Sequence, residues 1–236
     1  MKGERQKERR ALLASSPLFA KLTERELDAL VQVARLEKAS AREELCHKGD
    51  TARQIFLIVS GRLKAMTTSS DGDDVVFSIM GPGEVFGEIG VLAGGQRTAT
   101  IVAIDHCELL VIDRRDILLV LRSQPEVAIK LLEVLANRCR LVSELMEDVQ
   151  FLNLPARLAK KLLHLAGAYG IEVGNGLKID LKLSQTELGD LIATTRESIN
   201  KQMRLWAEEG ILSMEQGYVT IHRIDSLESL AALTSD

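Results

Sequence analysis

The sequence lacks any apolar run that could cross a membrane, since none approaches the roughly 18 residues that a transmembrane helix needs. The opening segment, MKGERQKERR, is charged, and the apolar stretch of a secretory signal does not follow it. We therefore expect a cytoplasmic protein with no membrane partner.

Cysteine is also scarce, because the 236 residues include only Cys46, Cys107 and Cys139. Their odd number and wide spacing fit neither a disulfide framework nor a Cys-x-x-Cys metal site, so we expect apolar packing residues and no metal. A strong positive charge is missing too, since the formal net charge is −4. Any binding of nucleic acid would therefore depend on local geometry.

Catalytic constellations are absent as well. The carboxylates Asp50, Glu84 and Glu88 and the nearby His47 do not have the spacing of a catalytic triad, a Cys–His pair or a metal-ligand set. We therefore do not expect an enzyme.

The apolar residues divide the chain into successive segments. Residues 11–37 have helical spacing, with Thr23 and Glu26 as a capping box. Residues 40–113 contain short strand-like runs, such as QIFLIVSG and CELLVID, and SSDGDD is a polar hairpin tip between two of them. Many short strands with glycine turns predict an antiparallel barrel or roll.

One glycine-rich stretch, FGEIGVLAGGQRTAT, occupies residues 86–100. Its glycines can bring backbone N–H groups close to a ligand, and Arg97 can hold a phosphate with paired hydrogen bonds. Taken alone, the stretch is equally compatible with a surface hairpin that carries a solvated pair of Glu88 and Arg97.

A long helix is predicted from Pro125 to Leu152, with apolar residues at heptad spacing and Arg138 as one polar interruption. The predicted seam comprises Ala128, Leu131, Leu135, Val142, Leu145, Val149 and Leu152. An amphipathic helix that packs on its own domain is the alternative. Because the repeat is sustained between two domains, we favour the seam of a parallel dimer.

The segment SQTELGDLIATTRESINKQMRLWAEEGIL predicts two helices joined by a tight turn. Ser184 and Glu187 form a capping box for the first helix, and ATT supplies the short turn of a helix-turn-helix. A β-hairpin that turns near Gln216–Gly217 follows as a wing. The outer face of the second helix carries polar residues: Arg196, Glu197, Asn200, Lys201 and Arg204.

This polar face has two interpretations. In a helix-turn-helix the first residues of the second helix meet base edges, so Arg196 can bind guanine and Glu197 can accept from cytosine. Alternatively, it is a solvated face with an ordinary Glu197–Lys201 pair. Acidic and basic residues are equal in number over 155–225, which argues against tight nonspecific binding. The order of capped helix, turn, polar helix and hairpin favours DNA binding.

The chain resembles the bacterial cyclic-AMP receptor protein family, the Crp/Fnr superfamily. The resemblance rests on four features: IFLIVSGRLK, FGEIGVLAGGQRTAT, the long helix and LSQTELGDLIATTRESINKQM. The resemblance implies an α+β fold with an N-terminal antiparallel β-roll that binds cyclic nucleotides (1–124), a dimerisation helix (125–152) and a C-terminal winged helix-turn-helix domain (153–236). It also implies an allosteric, homodimeric transcription regulator, a two-fold symmetric site in double-stranded promoter DNA, and RNA polymerase as a partner.

The resemblance assigns residues to both sites. Gly87 and Glu88 match positions that hold the ribose 2′-hydroxyl, Arg97 and Thr98 match the phosphate grip, and Arg138 can turn toward the phosphate or Glu88. The implied cyclic-nucleotide site comprises Gly87, Glu88, Ile89, Arg97, Thr98, Arg138, Val142 and Ser143. The implied DNA-binding set comprises Thr195, Arg196, Glu197, Asn200 and Lys201.

Three departures from the family pattern bear on specificity. Val142 and Ser143 match a Thr–Ser pair of the cyclic-AMP sensors, and Val142 cannot hydrogen-bond adenine, although Ser143 can. Thr98 replaces a serine, and a threonine there suits the guanine amino group of cyclic GMP. Cyclic AMP is the favoured effector, with cyclic GMP, alone or in addition, as the alternative. Lys201 replaces a usual arginine, so we expect a relaxed base preference there.

The competing function is a ligand-independent DNA-binding regulator whose roll is structural or binds another protein. The presence of Glu88, Arg97 and Thr98 argues against it.

Overall fold

The computed structural model describes residues 2–16, 19, 23–69 and 74–232, which fall into two compact units, Met1–Arg138 and Cys139–Asp236. The helices of the first unit are α1 (Lys2–Ser15), α2 (Glu24–Val33), α3 (Glu88–Ala93) and α4 (Arg114–Ser123). Its strands are β1 (Arg35–Ala39), β2 (Glu44–Cys46), β3 (Gln54–Ser60), β4 (Leu63–Thr68), β5 (Asp74–Met80), β6 (Val85–Phe86), β7 (Thr100–Ala103) and β8 (Cys107–Asp113).

Helix α5 (Pro125–Phe151) begins in the first unit and ends in the second. The helices that follow are α6 (Leu154–Tyr169), α7 (Gln185–Asp190), α8 (Arg196–Glu208) and α9 (Ile224–Ala231). The strands of the second unit are β9 (Gly170–Val173), β10 (Gly176–Ile179), β11 (Leu212–Glu215) and β12 (Tyr218–Ile221), and they form one sheet in the order β11-β12-β10-β9.

The first unit is built on two antiparallel four-stranded sheets, with strand orders β1-β8-β3-β6 and β2-β7-β4-β5. This is the predicted β-roll, and with the long helix and the helix-turn-helix the predicted fold class is confirmed. Residues 70–73 of the predicted polar tip between β4 and β5 lie outside the described residues.

Strand β3 is apolar throughout because both of its faces are covered. Phe56 and Ile58 lie in a core between the two sheets, together with Leu63 of β4. Ile55 and Leu57 point the other way, into a core shared with the helices of the first unit. Burial on both faces explains why this strand is an unbroken apolar run rather than an alternation of apolar and polar residues.

Helix α5 is packed at its beginning and exposed farther along. Val127 and Leu131 are buried in the helix-side core of the first unit. Leu131, which was predicted to lie in a seam, therefore packs on its own unit, as the alternative interpretation requires. Several apolar side chains of the second half are exposed: Leu141, Val142, Leu145, Met146, Val149 and Phe151.

Several elements differ from the sequence-based expectation. Strand β1 covers residues 35–37, which were predicted as helix, while α3, α4, β9 and α9 were not predicted at all. Strand β1 exists through its pairing with β8, where Leu36 lies opposite Leu110, more than seventy residues away. A pairing of that range leaves no local pattern, because strand preference depends on the neighbouring strand.

Two glycines give a matched test of backbone crowding in the roll. Gly61 (φ +81°) and Gly49 (φ +96°) both have left-handed backbones. A Cβ at Gly61 would lie 2.6 Å from Cys107 Sγ and would overlap the His106 carbonyl. A Cβ at Gly49 would have no neighbouring atom within 4 Å. We expect Gly49→Ala to cost about 1 kcal/mol and Gly61→Ala about 3 kcal/mol, measured by urea unfolding. Equal costs would contradict the crowding.

Candidate functional site

The glycine-rich stretch forms β6, the short helix α3 and a loop that leads to β7. Gly87 lies at the start of α3 with φ +82°. A Cβ there would overlap the guanidinium of Arg97 and lie 3.0 Å from the carbonyl oxygen of Gln54. Glycine is therefore required at this position for two reasons: the backbone has a positive φ, and Arg97 occupies the space that a side chain would fill.

Arg97 is buried, with 7% of its surface exposed. Its Nη1 donates to the carbonyl oxygens of Gln54 at 2.8 Å and Gly87 at 3.2 Å. The guanidinium also lies over the ring of Phe56, 5.3 Å from its centroid, and Phe56 stacks on Phe86. Neutral groups thus hold the guanidinium in one orientation.

This buried cation has no carboxylate partner among the residues that the structure describes. The nearby Cys46 does not compensate it, because burial raises the pKa of that thiol, against the opposing effect of Arg97. In the described hydrogen bonds Arg97 uses only Nη1, which leaves the N–H groups of Nε and Nη2. A fixed, buried guanidinium with unused donors is suited to binding an anion.

Glu88 is the other charged residue of the stretch, and its side chain is 1% exposed. Arg138 of α5 donates from Nη1 to Glu88 Oε1 and from Nη2 to the Val85 carbonyl. The second carboxylate oxygen, Oε2, is buried and finds no hydrogen-bond donor within the described part of the chain. An unsatisfied buried acceptor costs about 1–3 kcal/mol, so Oε2 is suited to accept from the hydroxyl of a ligand.

These contacts decide between the two interpretations of the stretch. A surface hairpin with a solvated Glu88–Arg97 pair is wrong, because both side chains are buried and Glu88 pairs with Arg138 instead. The structure brings together Gly87, Glu88, Arg97 and Arg138, four of the eight residues that the resemblance implied.

The other four implied residues make fewer contacts. Ile89 is 45% exposed on α3, and Thr98 is exposed in the loop before β7. Val142 (59% exposed) and Ser143 belong to the second compact unit and are described by themselves. The Ser143 hydroxyl donates to the carbonyl of Cys139 at 3.1 Å, within α5.

Sequence reasoning did not identify the groups that orient the two arginines. Gln54 and Val85 contribute backbone carbonyls, which carry no signature in the side-chain sequence. Phe56 contributes a ring, but in an apolar strand it cannot be told from a core residue. The run IFLIV, which predicts a buried strand, was the only indication in the sequence that Phe56 lies in the interior.

The second candidate site lies at the start of α8, where the turn after α7 is tightly built. Ala193 has a left-handed backbone (φ +55°), and a Cβ at Gly189 would lie only 2.7 Å from the Thr194 carbonyl. Arg157 Nη1 donates to the Ile192 carbonyl at 3.1 Å. Thr195 then caps α8, its Oγ1 accepting from the Ser198 N–H at 3.2 Å.

The predicted helix-turn-helix is present. Ser184 and Glu187 form both hydrogen bonds of the predicted capping box, and α8 buries Ile199, Met203 and Trp206. The wing turns at Gln216–Gly217, between β11 and β12, as predicted. The residues of the implied DNA-binding set are all exposed: Thr195, Arg196, Glu197, Asn200 and Lys201.

The alternative interpretation of this face required a Glu197–Lys201 ion pair. No such pair forms, and none of the described carboxylates pairs with Arg196 either. The charged ends of Arg196, Glu197 and Lys201 therefore form no ion pair with the described part of the chain and can contact bases or phosphates.

No helix among the described residues has the length and apolarity to span a membrane. No group of three or more His, Cys, Asp or Glu side chains among them is placed to hold a metal ion.

Known proteins resemble both parts of the chain. Residues 36–124 match the cyclic nucleotide-binding domain family, and residues 156–230 match the Crp-like helix-turn-helix domain family. The cyclic AMP receptor protein of Thermus thermophilus is 30% identical over 93% of this chain and 98% of its own length. A CRP-like cAMP-activated global transcriptional regulator of Mycobacterium tuberculosis is 32% identical over 74% of this chain and 78% of that protein.

Solved structures show the same fold. FixK2 from Bradyrhizobium japonicum covers 86% of this chain and all of its own, with a TM-score of 0.74 at 21% identity, which is a likeness of fold alone. The catabolite activator protein of Thermus thermophilus covers 92% of this chain and 98% of its own, with a TM-score of 0.51 at 30% identity.

Proposed function

Since the chain belongs to the Crp/Fnr family of transcription regulators, we propose that it is a homodimer that binds a cyclic nucleotide in its β-roll and promoter DNA through its helix-turn-helix. The assignment of the effector site rests on two unsatisfied charged groups in one short stretch. Glu88 Oε2 is a buried acceptor without a donor, and Arg97 is a buried cation without a carboxylate, each within the described residues. A cyclic nucleotide offers a sugar hydroxyl and a phosphate, which satisfy both.

Arg97 is the proposed phosphate ligand. Its orientation is set by the carbonyls of Gln54 and Gly87 and by the ring of Phe56, so little side-chain entropy is lost when an anion binds. Thr98, which is exposed beside it, supplies a hydroxyl to the same group.

Glu88 is the proposed ligand of the ribose 2′-hydroxyl, through Oε2. Its other oxygen is held by Arg138, which is a residue of α5. A change in the hydrogen bonds of this carboxylate therefore acts directly on the helix that we propose as the dimerisation helix. This contact is the proposed start of the coupling between effector and DNA.

Cyclic AMP is the favoured effector. The relatives from Thermus thermophilus and Mycobacterium tuberculosis are named for cyclic AMP, which supports that choice. Cyclic GMP is the alternative, because Thr98 suits a guanine amino group and Val142 cannot hydrogen-bond adenine. Ser143 is the remaining hydroxyl assigned to the base.

For DNA, Arg196 and Glu197 are the proposed base-reading residues, with Thr195, Asn200 and Lys201 beside them. Their exposure at the start of a capped second helix supports this role. A homodimer would place two such helices in successive major grooves of a two-fold symmetric promoter site. RNA polymerase as a partner and a cytoplasmic location stay predictions, as do the domain bounds 1–124, 125–152 and 153–236.

Removing the guanidinium tests the effector site. We expect Arg97→Ala to raise the Kd for cyclic AMP at least about 30-fold, because a buried phosphate would lose a counter-charge worth about 2 kcal/mol or more. Isothermal titration calorimetry measures it, with Arg122→Ala, on the exposed side of α4, as the control. Unchanged binding of both cyclic nucleotides to Arg97→Ala would refute the site. Binding of neither nucleotide to the wild type would instead support a ligand-independent regulator.

The purine preference depends on Thr98. We expect Thr98→Ala to weaken binding of cyclic GMP about fivefold more than binding of cyclic AMP, because the hydroxyl accepts from the 2-amino group of guanine, and adenine has no amino group at that position. Parallel titrations of both nucleotides give the two ratios. An equal loss for both would assign Thr98 to the phosphate alone.

Glu197 tests the recognition helix. We expect Glu197→Ala to relax the choice at one base pair of each half-site by about 1–3 kcal/mol, while nonspecific binding changes little. Selection of sites from a random DNA library, with cyclic AMP present, measures the preference. Glu208→Ala, at the far end of the same helix, is the matched control. A preference that Glu197→Ala leaves unaltered would exclude Glu197 from base reading.

A further inference from the structure

Helix α6 carries a lysine that neither of the two candidate sites uses. Lys161 is half-buried, and the residues one turn before and after it, Leu158 and Leu165, are 0% and 2% exposed. Its side chain therefore lies along the edge of the apolar face that α6 buries in the second unit. Burial lowers the pKa of the Lys161 amine below the ordinary lysine value.

Lys161 also differs from the other half-buried lysines in having no partner. Every other half-buried lysine in the described chain has one: Lys64, Lys130 and Lys178. The Lys161 amine makes no hydrogen bond or ion pair with any residue that the structure describes. It is partly removed from water without a group that would stabilise its proton, so the neutral amine is favoured.

The preceding residue provides a matched comparison on the same helix. Lys160 is exposed, and its Nζ donates to Asp148 Oδ1 at 2.7 Å. A carboxylate thus holds the ammonium of Lys160, whereas Lys161 has no such partner. A neutral amine has a free lone pair and is a nucleophile, and an ammonium is not.

The charged groups around this amine lie on α5 and α6. On α6 they are Lys160 and His164, and the positive charge of Lys161 lowers the pKa of His164, which burial also lowers. On α5 they are Asp148, which pairs with Lys160, and Glu144, which opposes the shift of His164. Neither carboxylate is paired with Lys161.

The charge of α6 indicates which reagent this amine would meet. The helix contains three cations, Arg157, Lys160 and Lys161, and no acidic residue. Asp148 and Glu144 of α5 balance only part of that charge. A local excess of positive charge attracts an anionic reagent. Acyl phosphates and the acyl thioesters of coenzyme A are anions that carry an activated acyl group.

We propose that Lys161 is an acylation site, at which an acyl phosphate or an acyl thioester transfers its acyl group to the ε-amine. The amine nitrogen attacks the carbonyl carbon, and an N–C bond forms. The bond from that carbon to oxygen or sulfur breaks, phosphate or thiolate leaves with the electron pair, and the nitrogen gives one proton to solvent. The amide is uncharged, so it no longer places a positive charge in a half-buried position. This site is independent of the proposed effector and DNA sites.

Acetylation of the full-length protein tests the proposal. The protein is incubated with acetyl phosphate in one arm and with acetyl-coenzyme A in the other, and mass spectrometry with peptide fragmentation gives the rate at each lysine. We expect Lys161 to react at least about threefold faster than Lys160 at about pH 7. A faster reaction of Lys161 in either arm supports the site and identifies the donor. Lys161 reacting no faster than Lys160 in both arms would refute it.

The pH dependence of the two rates separates a lowered pKa from simple access. An ordinary lysine loses its proton only near about pH 10.4, so the ratio of the Lys161 rate to the Lys160 rate should fall as the pH is raised from about 7 toward about 10. A ratio that stays constant would mean that access alone sets the rates, and would overturn the proposal. In concentrated guanidinium chloride the ratio should approach one, because unfolding exposes both amines. A preference that persists there would assign the reactivity to local sequence instead of the fold.

Two variants that keep the positive charge identify the reactive amine. We expect Lys161→Arg to lose the fast site and Lys160→Arg to keep it. Thermal unfolding followed by circular dichroism checks that both variants are folded. Fast acetylation of α6 that survives Lys161→Arg would place the reactive amine elsewhere and refute the assignment.

Discussion

The ion pair between Glu88 and Arg138 is the interaction on which the effector half of this molecule depends. It ties the short helix after the glycine turn to the long helix α5. Arg138 holds one oxygen of Glu88, while the second oxygen has no donor and Arg97 has no carboxylate partner among the described residues. One ion pair thus shapes the proposed ligand site and links it to α5.

Removing an arginine from water is costly unless it finds compensation, and the buried Arg97 and the half-buried Arg138 find it differently. Arg138 has a carboxylate and a carbonyl, which make it a structural link. Arg97 has two carbonyls and an aromatic ring, which hold its orientation but leave its charge unbalanced. Arg138 therefore connects two structural elements, whereas Arg97 is oriented to bind an anion. Gly87 makes this possible, because any side chain there would displace the Arg97 guanidinium.

In the helix-turn-helix unit, neighbouring residues hold the second helix in place. The outer charged side chains of that helix form no ion pairs with the described residues. Thr195 caps the helix, and Arg157 fixes the turn before it through the Ile192 carbonyl. Arg196 and Glu197, by contrast, find no ion-pair partner among the described residues. A domain with balanced charge binds DNA weakly through general attraction, which is why we propose these side chains as the source of specificity.

The sequence by itself determined the elements whose cause is local: the capping box of Ser184, the turn at Gln216–Gly217, the heptad repeat of α5 and the residue types of the glycine-rich stretch. Spacing alone could not decide which apolar residues of α5 pack on their own unit and which are exposed, since both kinds follow a helical periodicity. Only the tertiary structure decided that Leu131 packs inward and Cys139 outward. It likewise decided that Glu88 pairs with Arg138, because partners fifty residues apart are selected by packing rather than by local pattern.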